Sequence, residues 1–471
     1  MNETVTNFAI NFIAFTGGLM LLLVIALLVT AVVLYQVDKH QTKQAIRRNY
    51  PLVGRFRYLF EHVGEFFRQY FFAMDREEMP FNRAQRSWVY RAAKNVDNMV
   101  AFGSSRDLRV PGTYYFLSCP FPTLKEDASS TQPLRIGPFS RQPYDAPSFF
   151  NISGMSYGAL SKPAVQALAN GARMAGCWMN TGEGGVSPFH LEGGCDIVYQ
   201  IGTAKYGVRN EQGELDDDKL REKAALPQVK MFEIKLSQGA KPGKGGILPE
   251  EKVSEEIAQI RGIPVGEASL SPNRHPDIAS VDDLLDMVAR VREVTGKPCG
   301  FKLVIGEASW LDEFCQKVIE RGIESAPDFI TLDSSDGGTG AAPMPLMDSV
   351  GLPLRESLPM LVNKLVQYEL RERIRVVASG KLINPTDVAG AICMGADFVV
   401  SARGYMFALG CIQALQCNKN TCPTGITTHD PKLQRGLDPA DKAVRVANYV
   451  QNLNYEVGVI AHSCGVKEAR Q

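Results

Sequence analysis

The sequence predicts an α/β protein, a (β/α)8 TIM barrel carrying a single N-terminal transmembrane helix. From Pro147 onward, short apolar runs alternate with helix-length amphipathic runs, which is the pattern of parallel βα units. Glycine-rich polar loops follow most of these apolar runs, as expected at the C-terminal face of a barrel. A doubly wound open sheet is the alternative architecture. With 471 residues, the chain has room for one large domain and appendages.

The N-terminus predicts the membrane helix. No charged residue occurs from Thr4 to Val37, and the stretch Phe8 to Tyr35 exceeds the roughly 20 apolar residues that cross a bilayer. A signal peptide is less favoured because the apolar core is long and basic residues follow it. These basic residues are Lys39, Lys43, Arg47, Arg48, Arg55 and Arg57. The positive-inside rule therefore predicts a single-pass membrane protein with its N-terminus outside and its catalytic domain cytoplasmic.

The remaining chain divides by composition into three further segments. The anchor covers residues 1–37, with a span of about 8–35, and a helical or linker region covers 38–146. Within this region, RFRYLFEHVGEFFRQYFF could lie on the membrane as an amphipathic helix or pack against the barrel. The barrel is predicted over 147–430 and a helical extension over 431–471.

Eight strands are predicted within the barrel. Ser161, with Pro163 in the first turn, and Ser280, with Asp282 and Asp283, predict two helix N-termini. The predicted strands are Ser148–Ser153, Cys177–Thr181, Lys230–Leu236, Val265–Leu270, Gly300–Val304, Asp328–Asp333, Arg375–Ser379 and Asp397–Ala402.

Three cysteines near the C-terminus predict a metal site. Cys411, Cys417 and Cys422 occur with Cys-x5-Cys-x4-Cys spacing and are followed by Pro, a pattern that suits an iron–sulfur cluster. The alternative is a set of buried structural thiols, with Cys411 on the apolar face of a helix. The other cysteines are dispersed in apolar segments, which favours a reducing compartment. A net charge of zero gives no indication of a nucleic-acid partner.

Three loops at strand ends predict a cofactor site. ASGK and SARG follow the last two strands, where a TIM barrel commonly binds the phosphate of a flavin mononucleotide or a sugar phosphate. The loop DGGTG could approach a planar ring or a phosphate. The candidates in these loops are Asp336, Gly337, Gly338, Thr339, Gly340, Ser379, Gly380, Lys381, Ala402, Arg403 and Gly404.

Two more loops carry candidate catalytic residues. Lys235, Gln238 and Lys241 lie in KLSQGAKPGKGG, where cations could hold carboxylates or the charge of a reduced flavin. Glu183 in NTGEGG could position a nitrogen nucleophile or exchange a proton. His190, His275 and His429 lack metal-ligand spacing and are interpreted as hydrogen-bonding loop residues.

Taken together, the motifs from about Ser153 to Thr428 resemble the FMN-binding synthase domain of glutamate synthase. They occur in the family's order: SGMSYGALS, NTGEGG, EIKLSQGAKPGKGG, SPNRHPDI, DGGTGAAP, ASGK and GCIQALQCNKNTCPTGI. The resemblance implies a 3Fe-4S cluster on the three cysteines, electrons from ferredoxin or a partner reductase, and hydride transfer from FMN to an imine of 2-oxoglutarate and ammonia. It further implies roles near FMN or substrate for Met155, Ser156, Thr181, Gln238, Lys302 and Arg261.

The sequence also departs from that family. It is expected to lack the glutaminase domain, so ammonia would come from solution or from a separate ammonia-supplying subunit. Lys244, Ile247, Asn273-Arg274, Ser335 and Lys381 replace the family's usual residues, which leaves the keto acid open. Two other functions stay open: an amino-acid dehydrogenase that passes electrons to a membrane quinone, and a non-enzymatic scaffold.

Overall fold

The computed structural model describes residues 3–471, apart from the side chain of Thr4. It divides into two compact units, Met1–Ala84 and Gln85–Gln471, which are treated separately below. The domain boundaries expected from composition, at 37, 146 and 430, stay predictions.

The second unit contains a closed barrel of eight parallel strands, named β1 to β8 in chain order. Each strand pairs with the next, and β8 pairs with β1 through Val399 and Phe150. This closure confirms the predicted barrel and excludes the open sheet. The strands are β1 Phe150–Ile152, β2 Met179–Asn180, β3 Ile197–Ile201, β4 Val229–Lys235, β5 Cys299–Leu303, β6 Phe329–Asp333, β7 Arg375–Ser379 and β8 Phe398–Ser401.

Seven of the eight predicted strands overlap barrel strands, and one prediction is wrong. The segment predicted as Val265–Leu270 contributes only Ser269–Leu270, which pairs antiparallel with Ile247–Leu248 outside the barrel. The strand that takes its place, β3, was missed because the helix before it, Pro188–Glu192, has only five residues. So short a helix shows no amphipathic period in the sequence.

An apolar plug closes the N-terminal end of the barrel. The hairpin Leu134–Ile136 and Tyr144–Ala146 packs Ile136 against inward-facing residues of the strands. Trp178, just before β2, is almost fully buried, and its ring centroid lies 5.1 Å from that of Phe398 on β8. Because this end is filled, the polar residues of the barrel interior lie toward the opposite, C-terminal end.

Helices surround the barrel and begin at the predicted caps. Ser161 accepts from the amide of Ala164, and Ser280 forms a capping box with Asp283. The remaining secondary structure of this unit comprises the helices Lys162–Ala175, Pro188–Glu192, Asp217–Ala225, Glu255–Arg261, Val281–Thr295, Ser309–Arg321, Met344–Ser349, Leu354–Gln367, Pro385–Cys393, Arg403–Leu409, Pro431–Gln434 and Pro439–Ser463, and the short 3-10 turns Glu250–Lys252 and Ile323–Ser325. The helix Arg83–Ala93 crosses the unit boundary.

The last long helix, Pro439–Ser463, belongs to the barrel wall. A Cβ on Gly171 of Lys162–Ala175 would lie 2.5 Å from Val446, so the two helices are in close contact there. Tyr449 is fully buried and donates to the carbonyl of Ile383, in the segment after β7, at 2.8 Å. This helix therefore supports the wall beneath the loops that follow β7 and β8.

The first unit is helical. It consists of Glu3–His40, Ala45–Asn49, Val53–Phe67 and a π-helical continuation, Arg68–Phe72. Among the described residues, the segment Val5–His40 is the one helix that is long and apolar enough to cross a membrane. That finding rests on length and composition, and a signal sequence near an N-terminus passes the same test.

Candidate functional site

A polar cleft opens at the C-terminal end of the barrel. Its position is the usual one for the site of a barrel enzyme. Nine residues predicted for the site line it: Lys235, Gln238, Lys302, Gly338, Ser379, Gly380, Lys381, Ala402 and Arg403. The structure thus brings together loops that are up to 168 residues apart in sequence, from Lys235 to Arg403.

A buried ion pair lies on the floor of the cleft. Lys302 on β5 and Asp333 at the end of β6 approach to 3.1 Å between Nζ and Oδ2. Asp333 also accepts from the amide of Gly239 at 2.9 Å and the hydroxyl of Ser379 at 2.8 Å. Burial would raise the pKa of Asp333, but the Lys302 charge and these donors hold it below its usual value. The pair therefore stays ionised and fixes the loops after β4 and β7.

Below the floor, a second buried carboxylate organises the barrel interior. Glu233 in the middle of β4 accepts from Asn180 at 2.8 Å, from Gln200 at 2.7 Å and from Thr331 at 2.6 Å. The three donors come from three other strands, so one side chain ties β2, β3 and β6 to β4. A buried carboxylate requires hydrogen-bond donors of this kind, because unpaired polar atoms are costly in the protein interior.

The loops after β7 and β8 form a cationic corner of the cleft. Lys381 pairs with Asp336 at 2.9 Å, and Arg403 donates to the Asp336 carbonyl at 3.2 Å. Burial lowers the pKa of Arg403 to about 10, so it remains charged at neutral pH. In the described chain, the amides of Gly380 and Lys381 have no protein acceptor. Free amides beside two cations make this corner suitable for a phosphate.

A second charged group surrounds Glu183 after β2. Its Oε1 lies 3.2 Å from Nζ of Lys235. Burial would raise the pKa of Glu183, but the charges of Lys235 and Lys241 lower it. Glycines permit this arrangement, since a Cβ on Gly246 would lie 2.2 Å from the Glu183 carboxylate. The loop after β4 therefore packs directly against Glu183 at Gly246.

Lys241 completes this group. It is buried, and in the described part of the chain its ammonium has no hydrogen-bond or ion-pair partner. Burial and the nearby charge of Lys235 lower the pKa of Lys241 to about 8. A buried cation with free hydrogen-bonding capacity is suited to bind an anionic group.

Arg261 and His275 border the same region. Arg261 donates to Ser269 at 3.1 Å and to Ser156 at 3.4 Å, while its buried Nε has no partner. His275 bonds the carbonyl of Lys235 at 3.1 Å, and its Nδ1 has no partner. Orphaned polar atoms of this kind mark places where a ligand could bind. As predicted, His275 acts as a hydrogen-bonding loop residue, and His429 does so through Gly158 at 2.8 Å.

The three cysteines lie on one irregular segment beyond β8. The helix Arg403–Leu409 ends at Gly410, so Cys411 is not on a helical face as the alternative interpretation assumed. The amide of Gln413 donates to Sγ of Cys411 at 3.4 Å, a contact typical of cluster ligands. Gln413, Leu415 and Asn420 adopt left-handed conformations, so the segment is tightly wound.

The thiols nevertheless do not form a metal site in the structure as it stands. Among the described residues, no group of three His, Cys, Asp or Glu side chains has metal-binding geometry. The donor chemistry and the winding of the segment suit a cluster, whereas convergence of the three sulfurs is not observed. The metal role of Cys411, Cys417 and Cys422 therefore stays a prediction.

Several other predicted site residues lie outside the lining of the cleft. Gly337 packs against Asp333 and Gly239, and Gly404 packs against Tyr449, so backbone packing already accounts for both glycines. Thr181 uses its hydroxyl to accept from the amide of Gln200 at 3.1 Å. The predicted cofactor contacts of Met155, Ser156, Thr181, Asp336, Gly337, Thr339, Gly340 and Gly404 stay predictions.

The sequence reasoning overlooked the carboxylates that organise the site. Asp333 was included only as the end of a predicted strand, and Glu233 was not singled out. Both had a visible signal, because each is an acid within a mostly apolar strand, FITLD and MFEIK. Further lining residues that were not selected as site residues are Ser153, Gly154, Gln200, Ile383 and Ser401, of which Ser401 belongs to the predicted SARG loop.

Known proteins of one family are similar to this chain. Residues 134–467 match the model of the conserved region in glutamate synthase. The glutamate synthase large subunit-like protein YerD of Bacillus subtilis is 40% identical, over 92% of this chain and 89% of that protein. An archaeal-type glutamate synthase [NADPH] of Thermotoga maritima is 34% identical over 73% of this chain, which covers 64% of that protein's length. Among solved structures, an (S)-mandelate dehydrogenase chimera aligns at 12% identity with a TM-score of 0.48, over 76% and 85% of the two chains.

The fold and the cleft thus define a barrel enzyme whose site lies at the C-terminal end of the strands. The chain belongs to the glutamate synthase family. It is accordingly an oxidoreductase, as its sequence motifs predicted.

Proposed function

We propose that this protein is an FMN-dependent and iron–sulfur-dependent oxidoreductase that reduces the imine of 2-oxoglutarate, or of a related keto acid, and ammonia. The observation that carries the proposal is the arrangement of two charged groups at one cleft. A cationic corner suits a phosphate, and the buried cations Lys235, Lys241 and Arg261 surround the single carboxylate of Glu183.

The cleft residues have distinct roles in this proposal. The corner formed by Gly380, Lys381 and Arg403 would hold the FMN phosphate through free amides and charge. Lys302, whose charge is balanced by Asp333, would also contact FMN. FMN, when bound, would supply hydride chemistry. Gln238 lines the same cleft and would orient flavin and substrate.

The Glu183 group would bind the substrates. Lys241 and the free Nε of Arg261 are suited to carboxylates of the keto acid. Glu183 is held ionised, so it would attract ammonium and stabilise a positively charged imine. Lys235, bonded to Glu183 at 3.2 Å, would fix this carboxylate in position.

Cys411, Cys417 and Cys422 would hold a 3Fe-4S cluster, and ferredoxin or a partner reductase would donate the electrons. Ammonia would come from solution or from a separate subunit. Anaerobically purified protein should show a bleachable flavin spectrum and an EPR signal from an oxidised 3Fe-4S cluster. Flavin oxidation should then depend on 2-oxoglutarate and ammonia together. Protein that binds neither cofactor after reconstitution would refute the proposal.

We also infer a membrane location. The helix Val5–His40 would span the bilayer with its N-terminus outside and its basic flank in the cytoplasm. Resistance to extraction by alkaline carbonate, together with protease protection in oriented vesicles, tests this inference. A protein released by carbonate would contradict it.

The membrane helix favours a second candidate function, an amino-acid dehydrogenase that passes electrons to a quinone. A panel of amino acids should then reduce the flavin without added reductant. Reduction only by ferredoxin or a partner reductase would favour the imine reductase instead.

A further inference from the structure

The segment from Val53 to Phe72 presents an apolar surface on one side of a helix. The helix Val53–Phe67 continues into the π-helical turns Arg68–Phe72. At 3.6 residues per turn, most of its large apolar side chains fall within an arc of roughly 140°, and Phe72 at the end of the segment lies outside it. Six of the side chains in this arc are exposed, from 48% for Phe67 to 73% for Phe71. The members used below are Phe56, Leu59, Phe60, Phe66, Phe67 and Phe71.

The opposite side of this helix is charged. Glu61 and Glu65 lie on the polar arc, while Arg57 and Arg68 lie where the polar and apolar arcs meet. Arginines at such an edge can extend their charged heads toward lipid phosphates while their stems stay with the apolar side. A helix with aromatic residues on one side and basic residues at its edge is typical of segments that lie in the membrane interface.

A buried carboxylate ties this helix to the N-terminal helix. Asp38 is fully buried and accepts from Arg47 at 2.9 Å, from Arg55 at 2.7 and 2.8 Å, and from the amide of Leu52 at 3.1 Å. Gly54 adds to the constraint, because a Cβ there would lie 2.8 Å from the carbonyl of Ile46. The end of the N-terminal helix and the start of the amphipathic helix therefore form one fixed corner.

We infer that residues 53–72 lie in the cytoplasmic interface of the bilayer, with the apolar side among the acyl chains and the arginines at anionic headgroups. The inference rests on the proposed membrane span. Asp38 lies three residues beyond the predicted end of that span, roughly 4.5 Å along the helix axis. The corner at Asp38 thus begins the amphipathic helix at headgroup depth, where an interfacial helix buries Phe and Leu side chains at the boundary with the acyl chains.

Tryptophan scanning of the full-length protein in proteoliposomes tests this inference. Phe60→Trp and Phe71→Trp report on the apolar side, and Glu61→Trp is the matched control on the polar side. Leu22→Trp reports on the span. Native tryptophan emission from the unsubstituted protein is subtracted, and quenching by lipids brominated high or low on the acyl chain gives depth.

We expect Phe60→Trp and Phe71→Trp to be quenched severalfold more than Glu61→Trp, and mainly by the shallow bromines. Quenching of Leu22→Trp by deep bromines, with none of Phe60→Trp or Phe71→Trp, would overturn the inference while leaving the span intact. Blue-shifted but unquenched emission would show that protein, not lipid, covers this side. If Leu22→Trp is itself unquenched, the proposed span fails, and the inference fails with it.

Discussion

Replacing Asp333 with Asn should expose how strongly the floor of the cleft depends on one buried charge. Asn has nearly the same shape and keeps an oxygen that can accept from Gly239 or Ser379. The substitution therefore removes mainly the charge that faces Lys302. Lys302 would be left as a buried cation with its principal partner gone. We expect Asp333→Asn to destabilise the fold and to loosen the cleft.

The size of the effect follows from distance and burial. Unit charges 3.1 Å apart interact by about 5 kcal/mol at an effective dielectric of roughly 20. Desolvation offsets much of that attraction, but breaking a buried pair typically costs about 3–5 kcal/mol. For a barrel of this size, such a loss corresponds to a fall in Tm on the order of 5–10 °C. The double variant Asp333→Asn/Lys302→Met should lose about 2 kcal/mol less than the sum of its single variants.

Thermal unfolding in detergent, measured for both single variants and the double variant, tests this reasoning. The pH dependence supplies an independent check. Because the folded pKa of Asp333 is depressed, its stabilisation is fully present above the unfolded pKa of 3.8 and is lost as the pH falls through the folded pKa. Asp333→Asn should remove that part of the acid dependence. The coupling between Asp333 and Lys302 would be refuted if the stability losses of the two single variants simply add in the double variant. It would also be refuted if Asp333→Asn leaves the dependence of stability on acid pH unchanged.

Three further predictions concern ligands. Because the pKa of Lys241 is about 8, the KM for the keto acid should be low below pH 8 and should rise above pH 8. Lys241→Ala should lower kcat/KM by roughly 10–100-fold and should make KM nearly independent of pH in this range. Lys381→Gly should weaken FMN binding roughly tenfold but leave riboflavin binding unchanged, measured by flavin fluorescence, since only FMN carries the phosphate. Lys252→Met should lower the amount of iron bound per chain, because the Lys252 ammonium donates to the carbonyls of Cys417 at 2.9 Å and Thr427 at 2.6 Å. Equal iron content in the variant and the parent protein would contradict a role of Lys252 in holding the cysteine segment.

The sequence was sufficient for the barrel because alternation of strands and helices is a local pattern. The prediction failed at β3, because the five-residue helix before that strand shows no amphipathic period. It also failed at 265–270, where Ser269–Leu270 pairs antiparallel outside the barrel. Strand ends were located well because glycine-rich loops mark them. The cleft lining could be predicted for the same reason, since Lys381 and Arg403 lie in such loops.

The organisation of the cleft was not predictable from local pattern. Asp333 binds the amide of Gly239, 94 residues earlier, and Glu233 accepts from Thr331, 98 residues later. Nothing near either acid in the sequence identifies its partners, because closure of the barrel creates both contacts. The winding of the cysteine segment is also a tertiary result, although the spacing of Cys411, Cys417 and Cys422 did direct attention to it.

The charge balance around Glu183 bears on the direction of the proposed reaction. Lys235, Lys241 and Arg261 outnumber the one carboxylate, so these four side chains together carry an excess of positive charge. A dicarboxylic keto acid brings two negative charges and neutralises that excess, whereas a dicarboxylic amino acid also brings its own ammonium. Because buried charge is stable only when compensated, the group is better matched to the keto acid before ammonia is added. In the proposed reaction, Glu183 would compensate the positive charge that appears when the nitrogen is incorporated.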